Sequence, residues 1–387
     1  MQFCRVTFVM LWHISERTGG AEVQASYLAE ELVKRGYEVQ YICQTITKTN
    51  INTNSVVNGV KIHWIKPSRK FSWTNYLNYR NKLKITKPDI IIQRNSSPVL
   101  FGSYLYKKKT NAKLIWICTD NLSPLRDFYK KRFITKNTIR STGLFKYIVY
   151  YLNCLLEDKL RNHGMKGVDL GFSQNNYQKI EILKNFGIDT HQMISGHYPI
   201  EDSIINKVKH RFSSKIILWC ANFGKHKRPE LFLKLAELMQ HTDCNFIMIG
   251  NHADKNHLKN LLINKPKNLT LTGHLSFEEA LHYFNKASLF INTSSPSGDG
   301  FPNTFIQSWL RGVPVLTFGF DPDNIVEEHQ LGLIVKHEIE ARAEITYLFS
   351  NNDVYSKMSQ NVYTYALNNH TVEKMTNHFL NTIKAQT

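Results

Sequence analysis

No stretch of this chain runs through about 18 apolar residues, the length a membrane-crossing helix needs, so no such helix is expected. Cysteine is sparse: Cys4, Cys43, Cys118, Cys154, Cys220 and Cys244 are scattered, and none pairs with another at metal-ligand spacing. That pattern reads as reduced core thiols in a cytosolic protein. The apolar stretch near the start, Phe3–Met10, has no lysine-rich leader before it and no small-residue cleavage site after it. It reads as a first core strand rather than a signal peptide. No metal-binding Asp-x-Asp is recognised, so metal dependence is not expected. Acidic residues are short in number, 31 Asp and Glu against 49 Lys and Arg, leaving a net charge of +18. Such a field attracts anions, whether nucleic acid, acidic lipid or a phosphorylated substrate. Charge alone does not choose among them, and no nucleic-acid-binding motif accompanies it.

What is present is an ordinary globular balance, 42% hydrophobic and 21% charged over 387 residues, a length that points to two domains. In the first half, strands are expected at Phe3–Met10, Tyr37–Cys43, Gly59–Ile65, Asp89–Gln93, Ala112–Ile117 and Val168–Phe172. They are short and apolar on both faces, as buried parallel strands are. Helical patterns fall between them at Ala21–Lys34, Val99–Lys107 and Asn175–Phe186. The second half repeats the scheme with strands at Ile216–Cys220, Asn245–Ile249, Leu269–Thr272, Leu289–Asn292, Pro314–Thr317 and Leu333–Val335. Helices there include Pro229–Gln240 and a Ser276-capped Phe277–Asn285. The alternation predicts an α/β protein of two Rossmann-like halves, divided around 194–214. Ligands of such sheets sit beyond the carboxyl ends of the strands.

The segment from Gly298 to Val315 carries the most chemistry. Gly298 and Gly300 permit loop shapes closed to other residues. Pro302 suits the first turn of a helix, which leaves the amides of Asn303 and Thr304 to face an anion such as a diphosphate. Asp299 and Gln307 border the same pocket. A second segment, Asn222-Phe223-Gly224-Lys225-His226-Lys227-Arg228-Pro229, puts three cations before a helix start and forms a phosphate seat. A solvated charged loop is the alternative. Gly19-Gly20-Ala21-Glu22 follows the first strand and opens a helix; it is either a close-approach loop or an ordinary strand-to-helix turn. Asp120 ends another strand, and either orients a hydroxyl or caps the turn that follows. His13 and His197 sit in loops and are more often structural than catalytic.

The run Gly300-Phe301-Pro302-Asn303-Thr304-Phe305, followed by Arg311-Gly312-Val313-Pro314-Val315, resembles the donor-sugar signature of the retaining family-4 glycosyltransferases of the GT-B class. The family carries two glutamates where this chain has Asp299 and Gln307. The resemblance implies a GT-B fold, two Rossmann-like domains facing across a cleft. Their spans would be 1–195 on the acceptor side and 196–370 for the nucleotide sugar, with a last helix in 371–387 returning to the first domain. It implies that Asp299 contacts the donor sugar, that Gln307 holds the ribose, and that Lys227 neutralises the departing diphosphate. Asn222 stands where the family has an arginine, with Lys225 or Arg228 as conjectured substitutes. Gly19 and Gly20 match the family's Gly-Gly-x-Glu loop. Gly273 falls in a loop that brackets the nucleotide base, as do Ser294-Ser295, and His197, expected as a substrate contact, takes the place of an interdomain Asn-Gly loop. Many members carry a histidine near Asp120; none stands there in this chain.

The reading is a retaining glycosyltransferase that moves a sugar from a UDP- or GDP-sugar to a saccharide or lipid-linked acceptor in surface polysaccharide synthesis, with no other cofactor. Alternatives are a catalytically weakened nucleotide-sugar-binding partner and a sugar-nucleotide epimerase of the same fold. Residues 107–140 hold ten Lys and Arg with Phe128, Tyr129 and Phe133 among them, beside an amphipathic helix at about 141–162. That surface suits the anionic inner face of a membrane. A solvated loop next to a core-packing helix is the other reading. The expected location is therefore cytoplasmic, with a peripheral membrane contact.

Overall fold

The computed structural model describes residues 5–68, 72–136, 143–200, 208–250, 263, 265–295 and 299–386. Cys4, Arg140, Gly298 and the 201–207 part of the expected domain boundary lie outside the described residues. The chain divides into two compact units, Met1–Ile194 with Met375–Thr387, and Ser195–Lys374.

The first unit is built on β1 (Arg5–Trp12), β2 (Glu38–Gln44), β3 (Asn54–Val57), β4 (Val60–Ile65), β5 (Ile90–Gln93), β6 (Lys113–Ile117), β7 (Leu170–Ser173) and β8 (Thr190–Gln192). They pair in the order β3-β4-β2-β1-β5-β6-β7-β8, parallel throughout except for β3 against β4. The central strands are buried on both faces, as their unbroken Val, Ile and Phe runs require. Helices α1 (Gly20–Lys34), α2 (Asn75–Thr86), α3 (Val99–Lys107), α4 (Phe128–Lys136), α5 (Leu144–Met165) and α6 (Asn176–Phe186) accompany the sheet. One apolar cluster joins Val9, Ile42, Leu83, Leu100, Trp116 and Met165.

The second unit opens with α7 (Val208–Ser214). Its sheet runs β11-β10-β9-β12-β13-β14, all parallel, from β9 (Ile216–Cys220), β10 (Asn245–Ile249), β11 (Leu269–Gly273), β12 (Leu289–Asn292), β13 (Val315–Phe318) and β14 (Gly332–Val335). Helices α8 (Pro229–Leu238), α9 (Phe277–Lys286), α10 (Asn303–Trp309), α11 (Ile325–Glu328), α12 (Glu338–Ser350) and α13 (Asn352–Asn369) complete it. Ser276 caps α9: its Oγ accepts from the Glu279 amide at 3.3 Å, and the Glu279 carboxylate accepts from the Ser276 amide at 2.8 Å. The last helix, α14 (Val372–Ala385), spans the unit boundary. Its later part packs on the first unit, where Phe379 lies 5.3 Å from Phe172 and Asn377 accepts from Arg35 at 2.7 Å.

The sequence reading differs from this fold mainly at element ends. It also passed over β3, β8, α2, α4, α7, α11, α12 and α13. The five described cysteines carry no disulfide. The chain does contain one Asp-x-Asp, Asp321-Pro322-Asp323. Its first carboxylate accepts the amides of Val326 and Glu327 at 2.9 and 3.0 Å, so it caps α11.

Candidate active site

In the second unit the chain leaves β9, buries Phe223 against Trp219 (5.1 Å), and makes one short helical turn, Lys225–Lys227, before α8. Asn222 and Lys225 stand exposed on this loop. Arg228 adopts the left-handed conformation (φ 42°). Its guanidinium donates to the carbonyls of Thr293 (2.7 Å), Ser294 (2.9 Å) and Phe318 (2.8 Å). Those bonds commit Nε and Nη2 to the main chain, so Arg228 braces the loop after β12 rather than offering its fork to a phosphate. The Lys227 carbonyl accepts from Thr293 Oγ1, and the Ser295 amide donates to His226 O at 2.7 Å.

This lacing brings Lys227 and Asp299 together. The Lys227 ammonium bonds the Asp299 carboxylate and reaches Ser294 Oγ at 3.3 Å. Ser294 Oγ in turn donates to the same carboxylate at 2.8 Å. Burial pushes the Asp299 carboxyl up. The Lys227 charge and hydrogen bond, the Ser294 bond and the His226 charge outweigh that and hold it below its ordinary value. Two of the three ammonium protons are thus directed inward, and among the described residues the third N–H meets no acceptor.

Beyond Asp299, Gly300 is buried and Phe301 stacks on His370 with ring centroids 5.1 Å apart. Pro302 is not in the first turn. It is the cap residue of α10, in an extended conformation (φ −71°, ψ 123°), and no side chain caps the helix. Asn303 and Thr304 are half-buried, and the Asn303 side-chain oxygen is buried with no hydrogen-bond partner among the described residues. Gln307 is buried one turn further on. Gly273 ends β11 with φ 77°, a left-handed turn that suits glycine, and accepts the Gly250 amide at 2.9 Å.

His197 is placed differently from the sequence expectation of a ligand contact. It is buried, its amide donates to His370 O (2.9 Å), its carbonyl accepts from Val372, and its ring stacks on Phe277. Burial, with Arg311 and His370 nearby, pushes its pKa down to about 3, so it is a neutral packing group. His370 was missed by the sequence reading. Its Nδ1 bonds Ser195 O at 2.9 Å, and burial lowers its pKa to about 4.

In the first unit Gly19 caps α1 in an extended conformation, and Gly20 is exposed. A Cβ on Gly19 would lie 2.5 Å from the Glu22 carboxylate, so the glycine keeps that side chain against the helix start. Arg94, just after β5, is 2% exposed, and its Nε and Nη1 find no partner among the described residues. It is the single charge in an otherwise uncharged run from Ile90 to Tyr106, a signal available in the sequence. Asp120 Oδ1 accepts the amides of Leu122 and Ser123, each at 2.9 Å, which is the turn-capping geometry. His13 is buried, bonds Ser15 Oγ at 2.9 Å, and is held neutral by burial with its pKa down to about 4.

Residues 201–365 match the model of glycosyl transferases group 1, and residues 18–145 that of glycosyltransferase family 4. The chain belongs to glycosyltransferase family 4. This glycosyltransferase is similar in fold to a glycosyltransferase from Rickettsia africae, with 16% identity, a TM-score of 0.69, and coverage of 99% of this chain and 98% of that one. Sucrose-phosphate synthase from Thermosynechococcus elongatus gives 11% identity, a TM-score of 0.71, and coverage of 98% and 99%. HepE of Anabaena, solved with UDP and glucose, gives 13%, 0.69, and 98% and 99%. At these identities the likeness concerns the fold, which is that of the GT-B glycosyltransferases. No curated protein sequence matches the chain.

Proposed function

We propose that this glycosyltransferase takes its sugar from a nucleoside-diphosphate sugar, a UDP- or GDP-sugar, and retains the anomeric configuration. The observation that carries the reading is the Lys227–Ser294–Asp299 cluster. A diphosphate leaving group gains negative charge as the glycosidic bond breaks. The Lys227 ammonium is the group that meets that charge, while Asp299 and Ser294 fix it in place. Asp299 would also accept a hydroxyl of the donor sugar, and Gln307 would hold the ribose diol with neutral hydrogen bonds. Asn303, whose side-chain oxygen has no partner among the described residues, opens the helix that carries Gln307. In the first unit Gly19 and Gly20 are proposed to admit the acceptor close to the backbone.

The acceptor we propose is a saccharide or lipid-linked saccharide of a surface polysaccharide, met by a cytoplasmic enzyme that touches an anionic membrane face. The excess of cations and the exposed apolar side of α5 support that contact. Among the described residues no helix is long and apolar enough to cross a membrane. A weakened donor-binding partner remains the second reading, favoured by Asn222 and Gln307 at positions where the family pattern is charged. A panel of nucleotide sugars tested by thermal shift, followed by turnover with the ligand that stabilises, separates the two. Stabilisation without turnover toward any saccharide acceptor, or toward water, supports the binding partner. Stabilisation by none of them removes the donor assignment.

A further inference from the structure

The inner side of α5 is pinned by buried groups. The Asp158 carboxylate accepts the Tyr129 and Lys130 amides at 2.8 and 3.0 Å, and Arg161 donates to Leu125 O at 2.9 Å. Gly164 lies against the Leu100 backbone, where a Cβ would come within 2.6 Å. These anchors fix which side of the helix faces out.

That outer side is unusual for a protein surface. Phe145 is 81% exposed, Leu152 58%, and Leu144, Ile148, Val149 and Leu155 are exposed with them. From Gly143 to Leu156 the only charged side chain is Lys146. Ile148, Leu152 and Leu155 continue at alternating spacings of four and three into Lys159, Asn162 and Lys166, so one stripe passes from apolar to cationic along the helix. Under its cationic end is a cavity of about 330 Å³. Arg126, Lys159, His163 and Lys166 line it with Asn162 and Phe186, and among the described residues no carboxylate does. Arg126 is held there by its bond to Asn185 O (2.6 Å) and by the Asn162 amide on its carbonyl (2.8 Å).

We propose that the outer face of α5 docks on an anionic phospholipid bilayer, with the apolar half in the acyl boundary and a lipid phosphate in the cationic cavity. The inference rests on the peripheral contact proposed above and assigns it residues. Apolar residues occupy most of the circumference of the first turns, as in a helix end that enters the apolar layer. Leu152 and Lys159 are separated by about 10 Å along the axis, which sets the apolar half that far from the phosphate level. The absence of any acid from Gly143 to Leu156 and in the cavity lining matches an anionic surface rather than an acid-bearing protein face.

The test is flotation of the full chain with vesicles of phosphatidylcholine alone and of phosphatidylcholine mixed with phosphatidylglycerol. Binding is expected to the mixed vesicles only, weakened by salt. Lys159→Glu with Lys166→Glu, and separately Phe145→Asp with Leu152→Asp, should each lower the bound fraction about tenfold. All these side chains are exposed, so the melting temperature should hold. If the apolar pair impairs folding, the charge pair decides. Stabilisation of the chain by inorganic phosphate in a thermal melt, without vesicle binding, identifies a soluble phosphate site and overturns the proposal. Equal binding to both vesicle types, no binding, or binding unchanged by the charge pair also overturns it. Donor turnover is measured in parallel: turnover intact with docking absent sinks only the docking surface, and the converse sinks only the donor assignment.

Discussion

Lys227 and Asp299, 72 residues apart, share an ion pair that Ser294 bridges with a 2.8 Å bond to the same carboxylate. The pair sets the charge of the site. Lys227→Ala should reduce sugar turnover by about a hundredfold or more while leaving the fold intact, because the transition state loses its cation. Asp299→Asn should raise the donor KM and lower kcat together, since the ammonium is then less well held. Steady-state kinetics of both variants check this.

The pair also fixes a pH dependence. The carboxyl of Asp299 is depressed in the folded state, so its contribution is full above the ordinary carboxylate value of 3.8 and fades only as the pH falls through the lower folded value. Donor binding by calorimetry should therefore show no acid limb from Asp299 between neutrality and about pH 4.

Stability has a different acid dependence. His13, His63 and His370 are pushed down to about 4 and His197 to about 3, each chiefly by burial. The unfolded chain takes up these protons below 6.5, and the folded chain does not until far lower. Stability is thus full above 6.5, falls below it, and levels off near the folded values, by about 1.4 kcal/mol per histidine per unit of pH. Thermal melts from pH 7 to 4.5 should show the fall, and His370→Gln should make it shallower.

Arg228→Lys should not rescue Arg228→Ala. Lysine cannot span the carbonyls of Thr293, Ser294 and Phe318 from one planar head. Either change should cost about 2–4 kcal/mol of stability and loosen the loop that carries Ser294. Denaturant titration of the two variants gives the comparison.

Gly250 has φ 152°, and a Cβ there would come 2.1 Å from the Ala221 carbonyl oxygen. Gly250→Ala should destabilise the second unit by about 3 kcal/mol or more, read by melting temperature.

The fold was legible where burial is two-sided. Runs such as Ile90-Ile91-Ile92 and Leu289-Phe290-Ile291 leave no reading but core strand. What escaped is one-sided or polar. Strand β3 alternates exposed and half-buried positions, though Asn58-Gly59, with φ of 49° and 80°, is a hairpin turn visible in the sequence. Of the site, the two segments holding Lys227 and Asp299 were legible as loops before helices, but their ion pair was not. It depends on Arg228 drawing the loop after β12 toward α8, and no local pattern encodes a bond across 65 residues. Arg228 read as a ligand because the three neighbouring cations Lys225, Lys227 and Arg228 look alike until their acceptors are known. His197 read as a loop residue because its strand-like pairing with Thr371 is equally remote.

Turnover of the stabilising sugar nucleotide by the wild-type chain and by Lys227→Ala, at saturating donor, tests the central claim most directly. The account predicts measurable sugar transfer by the wild type and a loss of about a hundredfold in kcat for the variant. Equal rates would contradict it.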